Sequence, residues 1–290
     1  MTPEIDVLVV LYNSEKFIQP LLDSIQRVSV PITLYLLDNA STDRTVEKLA
    51  AALESYPVRT YLLRSLVNNG FARGMNLLAR QGSGKFIFML NPDAELEEGC
   101  IERLLDRLTK DVSIGVCEAR QQPREHPKTY DPATGETSWC TGAAILIRRK
   151  AFEELGGFDE RIFFMYCEDV DLSWRLWQKG WRCVYVRDAV VRHFTQDLTA
   201  GKRRTRENYF TFRNSLFLFY RFGSLRQMHV IWAFLQKRFL SASYTLRSKI
   251  LFAIALIEHI RYIPYLLQTR DIRSGGKHPW IRFEETSLSR

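Results

Sequence analysis

The chain has 290 residues, of which 46% are hydrophobic, 26% charged and 12% aromatic, a globular balance and not that of a disordered, collagen-like or disulfide-stapled protein. Its longest apolar run, Ile250 to Ile257, is eight residues where a membrane-spanning helix needs roughly 18, so no spanning segment is expected. The formal charge of +8 sits in the tail: residues 200 to 290 carry 17 Lys and Arg against 5 Asp and Glu.

Taken in chain order, the first half alternates short β-rich runs with helical ones, the pattern of a mostly parallel sheet flanked by helices. Val7 to Leu11 reads as a strand that stops at Tyr12, Asn13 and Ser14. Glu15 to Arg27 follows as a helix, with Phe17, Leu21, Leu22 and Ile25 on one face and Ser14 as its cap. Ile32 to Leu37 is a second strand ending at Asp38, Asn39 and Ala40, and Thr45 to Leu53 is helical. Phe86 to Leu90 is another strand, ending at Asn91, Pro92 and Asp93. Asn and Asp favour turns for local reasons. Three strands that all stop at such clusters nevertheless predict one shared crevice, because open α/β sheets bind ligands beyond the carboxyl ends of their strands.

No Walker A or G-x-G-x-x-G sequence is present, so a phosphate-bearing ligand would need another source of positive charge. Asp93 offers a hard oxygen for a divalent ion, aimed by the rigid Pro92 turn. Residues 168 to 178 read as a helix stopped by Gly180, with Glu168, Asp169 and Asp171 crowded into its first turn. Helix-dipole complementarity and an ion pair to Arg175, four residues on, account for Asp171. Asp169 fits a general base, set behind the apolar run Phe163 to Tyr166. After a strand at Cys183 to Val186, His193 offers an imidazole suited to Mn²⁺ and less well to Mg²⁺.

In the tail, Leu225, Met228, Ile231, Trp232, Leu235 and Phe239 fall at helical spacing among Arg226, Lys237 and Arg238, and a second apolar stretch runs from Ile250 to Leu267. Such basic amphipathic helices either pack on the main domain or rest on an anionic membrane surface. No nucleic-acid motif accompanies the charge, so no nucleic-acid partner is expected. The acidic start of the chain lacks the basic flank of a secretory signal, and the five cysteines form no C-x-x-C pair. A cytosolic chain with reduced, buried cysteines is expected.

The motifs Val-Val-Leu-Tyr-Asn (9–13), Leu-Asp-Asn-Ala-Ser-Thr-Asp (37–43), Asn-Asn-Gly-Phe-Ala-Arg-Gly-Met-Asn (68–76), Leu-Asn-Pro-Asp-Ala (90–94), Gly-Gly-Phe-Asp-Glu (156–160), Glu-Asp-Val-Asp-Leu (168–172) and Arg-His-Phe (192–194) occur in this order. Together they resemble the family 2 inverting glycosyltransferases, over roughly residues 5 to 222, and most of all the bacterial rhamnosyltransferases. The resemblance implies a GT-A fold in 1–222, a Rossmann-like, mostly parallel central sheet flanked by helices, with a basic helical extension in 223–290. It implies transfer of a sugar, L-rhamnose from dTDP-rhamnose, onto a glycan or polyprenyl-diphosphate-linked acceptor at the inner face of the cell membrane. Other nucleotide-sugar donors, such as UDP-galactofuranose, UDP-N-acetylglucosamine or UDP-glucose, are the alternative, as is an inactive relative that only binds the donor.

Residue by residue, the resemblance assigns Leu11, Tyr12, Asn13, Asp38, Asn69, Asn76, Asn91 and Asp93 to the donor. Asp93 and His193 fall to Mg²⁺ or Mn²⁺, Asp169 with Glu168 beside it to catalysis, and Trp139 and Gly142 to the acceptor side. A carboxylate at Asp38 accepts the imino N–H that thymine and uracil share. Two positions depart from the family pattern: Asn91 stands where an aspartate is usual, and Met75 where an arginine is, with Arg73 two residues earlier.

Overall fold

The computed structural model describes residues 5–125, 128–194, 200–223, 228–241, 244–270, 278–281 and 283. Its strands are β1 (Ile5–Leu11), β2 (Ile32–Asn39), β3 (Thr60–Ser65), β4 (Phe86–Leu90), β5 (Ala94–Leu96), β6 (Ile114–Gln122), β7 (Ala144–Arg148) and β8 (Arg182–His193). They form an 8-stranded sheet in the order β3-β2-β1-β4-β7-β6-β8-β5. The pairs β3–β2, β2–β1, β1–β4 and β6–β8 are parallel, and β4–β7, β7–β6 and β8–β5 antiparallel. The chain has the mostly parallel α/β architecture expected.

Alternation along the central strand explains the layers. In β1, Leu8 and Val10 join the core on one face of the sheet, while Val7, Val9 and Leu11 join the core on the other. The second face is covered by α1 (Ile18–Gln26), α2 (Thr45–Leu53) and α4 (Cys100–Lys110), through Leu21, Leu22, Leu49, Leu104 and Leu108. In α4 those leucines share a face with Ile101, and Glu102 and Asp106 lie off it, the 3.6-residue pattern of a half-buried helix. The first face carries α3 (Gly70–Ala79), α5 (Arg149–Glu154), α6 (Glu168–Gln178) and α7 (Ala200–Phe222). Phe234 of α8 (Met228–Leu240), Phe252 of α9 (Leu246–Ile260) and Leu266 of α10 (Ile263–Gln268) extend the same core. Phe212 of α7 stacks on Phe234 and lies 4.7 Å from Phe252, centroid to centroid. Burial of such a ring contributes about 1.5–3 kcal/mol.

Several expectations are corrected. The first helix begins at Ile18, not Glu15, and Phe17 rather than Ser14 occupies its cap position. Ser14 is held elsewhere: its hydroxyl accepts from Tyr12 N at 3.2 Å, and its N–H donates to Thr45 Oγ1 at 2.7 Å, a long-range bond that no local pattern announces. The second strand runs on through Asp38 and Asn39, and the strand at Cys183 to Val186 is the first part of the longer β8. In the tail, Leu225 and Arg226 lie outside the described residues, as do the side chains of Met228 and Trp232. Ile231, Leu235 and Phe239 pack against the core. All five cysteines are buried and free, as expected. Among the described residues no helix is long and apolar enough to cross a membrane.

Candidate active site

The register of the sheet brings the separated motifs to one edge. Leu11 pairs with Asp38 across β1 and β2, so both strands end side by side. β4 lies parallel to β1 on its other flank, and β6 and β8, antiparallel to β7, point the same way as β4. Along that edge the chain presents Asp38, then Tyr12 and Asn13, then Asn91, the loop before β7, Gln121, and His193. This edge is where an open α/β sheet takes its ligand.

At the β2 and β1 ends, two loops hold each other. Asn13 adopts a φ of 51° and Ala40 a φ of 65°, uncommon for residues with a side chain and found where the surroundings fix them. Asn13 N donates to Ser41 Oγ (3.0 Å) and its side-chain oxygen accepts from Thr42 N (2.8 Å). Asp38 is buried and accepts from Ser41 N at 3.2 Å, while Tyr12 is exposed. Asn69 N donates to Asn39 Oδ1 at 2.8 Å, which fixes the start of α3 next to this platform. Gly70 follows with a φ of 75°; a Cβ there would lie 2.2 Å from the carbonyl oxygen of Phe164, which already accepts from Phe71 N at 2.7 Å. Asn76 is turned elsewhere. Its amide donates to Phe158 O and to Glu160 Oε2, both at 2.8 Å, and its oxygen accepts from Phe158 N. In this structure it braces the Gly-Gly-Phe-Asp-Glu segment. Met75 beside it is fully buried in the core.

Residues 91 to 93 leave β4 and reach β5 at the far side of the sheet, and so cross the ends of the intervening strands. Ala94 pairs with His193, and Phe194 N donates to Asp93 O at 2.9 Å. This places the Asp93 carboxylate 3.3 Å from His193 Nε2, with Asn91 Nδ2 3.4 Å from the same nitrogen. The other ring nitrogen, Nδ1, lies 2.7 Å from Gln121 Oε1. Gln121 in turn donates from Nε2 to Thr141 Oγ1 at 3.1 Å, which leaves its Oε1 to accept from His193 Nδ1–H. Nε2 is the ring nitrogen left facing the Asp93 carboxylate. Two electron-pair donors converging in a buried place, with the histidine oriented by a partner behind it, fit a divalent cation. Among the described residues no group of three or more His, Cys, Asp or Glu could hold a metal, so such an ion would complete its shell from ligand and water oxygens.

The second centre is the start of α6. Tyr166 and Cys167 both take left-handed backbone conformations, with φ of 68° and 66°. The bend is secured by α7: the buried Asn214 donates from Nδ2 to Met165 O (2.9 Å) and Tyr166 O (2.7 Å), and Arg213 donates to Ile162 O (3.0 Å). Beyond it, Asp169 accepts from Gly142 N through Oδ2 (3.0 Å) and from Val170 N through Oδ1 (2.8 Å). Burial raises the Asp169 carboxyl above its ordinary value, against the pull of those two N–H groups. Glu168 is buried with Oε2 lacking a hydrogen-bond partner, and burial, reinforced by the Asp169 charge, raises its carboxyl well above the usual range. Both neighbouring carboxyls are thus shifted upward, Glu168 by burial and by the Asp169 charge, Asp169 by burial. Asp171 differs: burial is outweighed by Arg175 (2.7 Å) and Arg221 of α7 (2.6 Å), which hold it below the ordinary value.

The loop before β7 joins the two centres. Thr141 N donates to Glu118 Oε2 at 3.0 Å, Gly142 N to Asp169, and Ala143 O accepts from Asn91 N at 2.8 Å. Glu118 is a buried carboxylate paired with Lys128, whose ammonium also donates to Trp139 O (3.1 Å) and covers the Trp139 ring at 4.5 Å. The Trp139 ring, given to the acceptor side by the resemblance, is thereby packed in the core. Sequence reading missed Gln121, Glu118, Lys128, Asn214 and Arg221. For all but Lys128, which lies between β6 and β7, charged or amide residues inside apolar strand and helix runs were the available signal.

Comparison with known proteins shows the family and the fold. The profile of "Glycosyl transferase family 2" matches residues 6–166, and that of "Glycosyl transferase family group 2" matches residues 128–268. The N-acetylglucosaminyl-diphospho-decaprenol L-rhamnosyltransferase of Mycobacterium tuberculosis is 30% identical over 240 residues, 67% of this chain and 76% of that one. An O-antigen chain rhamnosyltransferase of Salmonella typhimurium is 23% identical over 212 residues, 66% of each. Among solved structures, a mannosyltransferase from Pyrobaculum calidifontis, in complex with GDP-Man and Mn²⁺, superposes with a TM-score of 0.64 at 19% identity, covering 93% of this chain and 73% of that one. The chain belongs to glycosyl transferase family 2, has the GT-A fold, and is similar to bacterial rhamnosyltransferases.

Proposed function

We propose that the protein transfers L-rhamnose from dTDP-rhamnose, with inversion at the anomeric carbon, to a lipid-linked or oligosaccharide acceptor in bacterial cell-surface polysaccharide synthesis. The observation that carries the reading is the Asp169 carboxylate in the first turn of α6, oriented by two backbone N–H groups and raised by burial, and held by Gly142 of a loop whose next residue, Ala143, is bonded to Asn91. Asp169 takes the proton from an acceptor hydroxyl while that oxygen bonds to the anomeric carbon and the bond to the diphosphate oxygen breaks on the opposite side. Glu168, whose carboxyl is raised by burial and by the Asp169 charge, lies beside the base.

On the donor side, the Asp38 carboxylate receives the imino N–H of the base, and the loops at Tyr12–Asn13 and Asn69 shape the nucleoside end. Asp93 and His193 are the residues that would hold Mg²⁺ or Mn²⁺; when bound, the ion offsets the charge growing on the leaving diphosphate. Gln121 fixes the histidine tautomer for that task. On the acceptor side, Gly142 carries the N–H that aims Asp169, and Trp139 shapes the loop behind it. The acceptor and donor classes are supported by the mycobacterial relative, named for an L-rhamnosyl transfer to a diphospho-decaprenol-linked sugar. Such an acceptor sets the protein at the inner membrane face, as a peripheral protein with a catalytic unit in 1–222, ending with α7, and a helical extension in 223–290.

Thermal melting against a panel of nucleotide sugars tests the donor. Binding to the native state at about 100 times the dissociation constant adds about 2.7 kcal/mol of stability. The largest shift is expected with dTDP-rhamnose; a larger one with UDP-galactofuranose, UDP-N-acetylglucosamine or UDP-glucose would reassign the donor.

A further inference from the structure

Helix α9 carries apolar side chains on two opposite faces, and the core covers only one of them. Ser248, Phe252, Ala255 and His259 are buried against the rest of the protein. On the opposite side Leu246, Ile250, Ile254, Ile257 and Ile260 stand 43 to 75% exposed, a row of large aliphatic side chains about 21 Å long. A contiguous row of large exposed aliphatic side chains marks a contact with protein or lipid, which singly scattered surface leucines do not.

The charges around the row select the occupant. Arg247 and Arg261 are exposed at its two ends and Lys249 is half-exposed beside it. The helix has a single acid, Glu258, and its carboxylate is bonded to the Tyr209 hydroxyl of α7. The rim is formed by these three bases, Arg213, Arg221 and Arg238 being buried elsewhere in the helical layer. An apolar face rimmed by bases matches an anionic bilayer, whose phosphates meet the bases while the aliphatic side chains enter the boundary between headgroups and acyl chains.

We propose that the outer face of α9, from Leu246 to Ile260, is the surface by which this protein lies on an anionic membrane. The assignment goes beyond the general expectation for the tail, since α8 turns Phe234 inward and its apolar residues Ile231, Leu235 and Phe239 against the core. It gives the peripheral association proposed above a definite face, and it stands independently of which sugar is transferred.

Flotation of the full chain with vesicles of phosphatidylglycerol and phosphatidylcholine, against vesicles of phosphatidylcholine alone, tests it. At low salt the wild type should bind the anionic vesicles at least about tenfold better, and added salt should weaken the binding. The exposed-face variant Ile254→Glu/Ile257→Glu should lose about tenfold or more of that binding, while its melting temperature and its thermal shift with nucleotide sugar stay at wild-type values. In Ile257→Trp, fluorescence should be quenched by brominated lipid in the anionic vesicles. Wild type left unbound by either vesicle, or the double variant floating as well as wild type, overturns the proposal. So does a wild-type dimer in light scattering that the double variant converts to monomer, since the face would then belong to a second copy. Failure of dTDP-rhamnose as donor would leave each of these readouts unchanged.

Discussion

The backbone N–H of Gly142 donates to Asp169 Oδ2 at 3.0 Å, and the next residue, Ala143, accepts from Asn91 N through its carbonyl at 2.8 Å. One short loop therefore holds the base and the turn that carries Asp93. Because burial raises the Asp169 carboxyl, the acid limb of kcat/KM should lie above the ordinary aspartate range, with activity lost as pH falls through it. A pH–rate profile checks this; a limb at or below the value of a free aspartate contradicts it.

Removing divalent cation with a chelator should abolish transfer, and Mg²⁺ or Mn²⁺ should restore it. Gln121→Leu leaves Asp93 and His193 in place but removes the acceptor behind His193 Nδ1, so it should raise the metal concentration needed for half-maximal activity by about 10–100-fold. Metal titration of both proteins measures the effect. Full activity in excess chelator contradicts the role given to Asp93 and His193.

Asn214→Ala removes two hydrogen bonds from the left-handed bend that precedes Glu168. A stability loss of about 1–3 kcal/mol is expected from the two buried carbonyls left without that donor. A positioning role adds a fall in kcat with donor affinity retained, because the bend sets Asp169 and not the nucleotide loops. Denaturant melts, donor titration and kcat together separate the two contributions.

Arg221 bridges Asp171 Oδ1 (2.6 Å) and Asp159 Oδ2 (2.5 Å) between α7 and α6, and burial works against its charge while the two acids hold it ionised. Arg221→Met leaves buried carboxylates short of a partner, so a loss of about 3–5 kcal/mol is expected in denaturant melts. Asp171 has a depressed carboxyl, so its contribution is present at neutral pH and is lost as pH falls through its folded value.

Glu168 has the opposite sign. Its folded carboxyl is raised, so it keeps a proton at pH values where the unfolded chain has released it. Stability therefore declines as pH rises from the ordinary glutamate range toward the folded value. Glu168→Gln should flatten that decline and melt above wild type at neutral pH. A lower melting temperature at neutral pH contradicts the upward shift of the Glu168 carboxyl.

The strand ends at Asn13, Asp38 and Asp93 were legible because each polar cluster interrupts a β-rich run, a local signal. Asp171 was equally legible, since Arg175 lies four residues on in the same helix. Gln121 was not: its contact with His193 arises from the β6–β8 register, which pairs Gln121 with Val191. Asn214 sits between Phe212 and Phe217 in a helix that reads as packing, and its partners lie 48 and 49 residues away. The two faces of α9 could not be separated either, because both are apolar and only the position of α7 shows which is covered.

The central claim, that Asp169 is the base for sugar transfer, is tested most directly by Asp169→Asn. Donor affinity and the rate of a single turnover with dTDP-rhamnose and a lipid-linked acceptor should be measured on the same preparation. Affinity is predicted to stay near wild type while the chemical step slows by a factor on the order of 10² to 10⁴. A single-turnover rate close to wild type would contradict it.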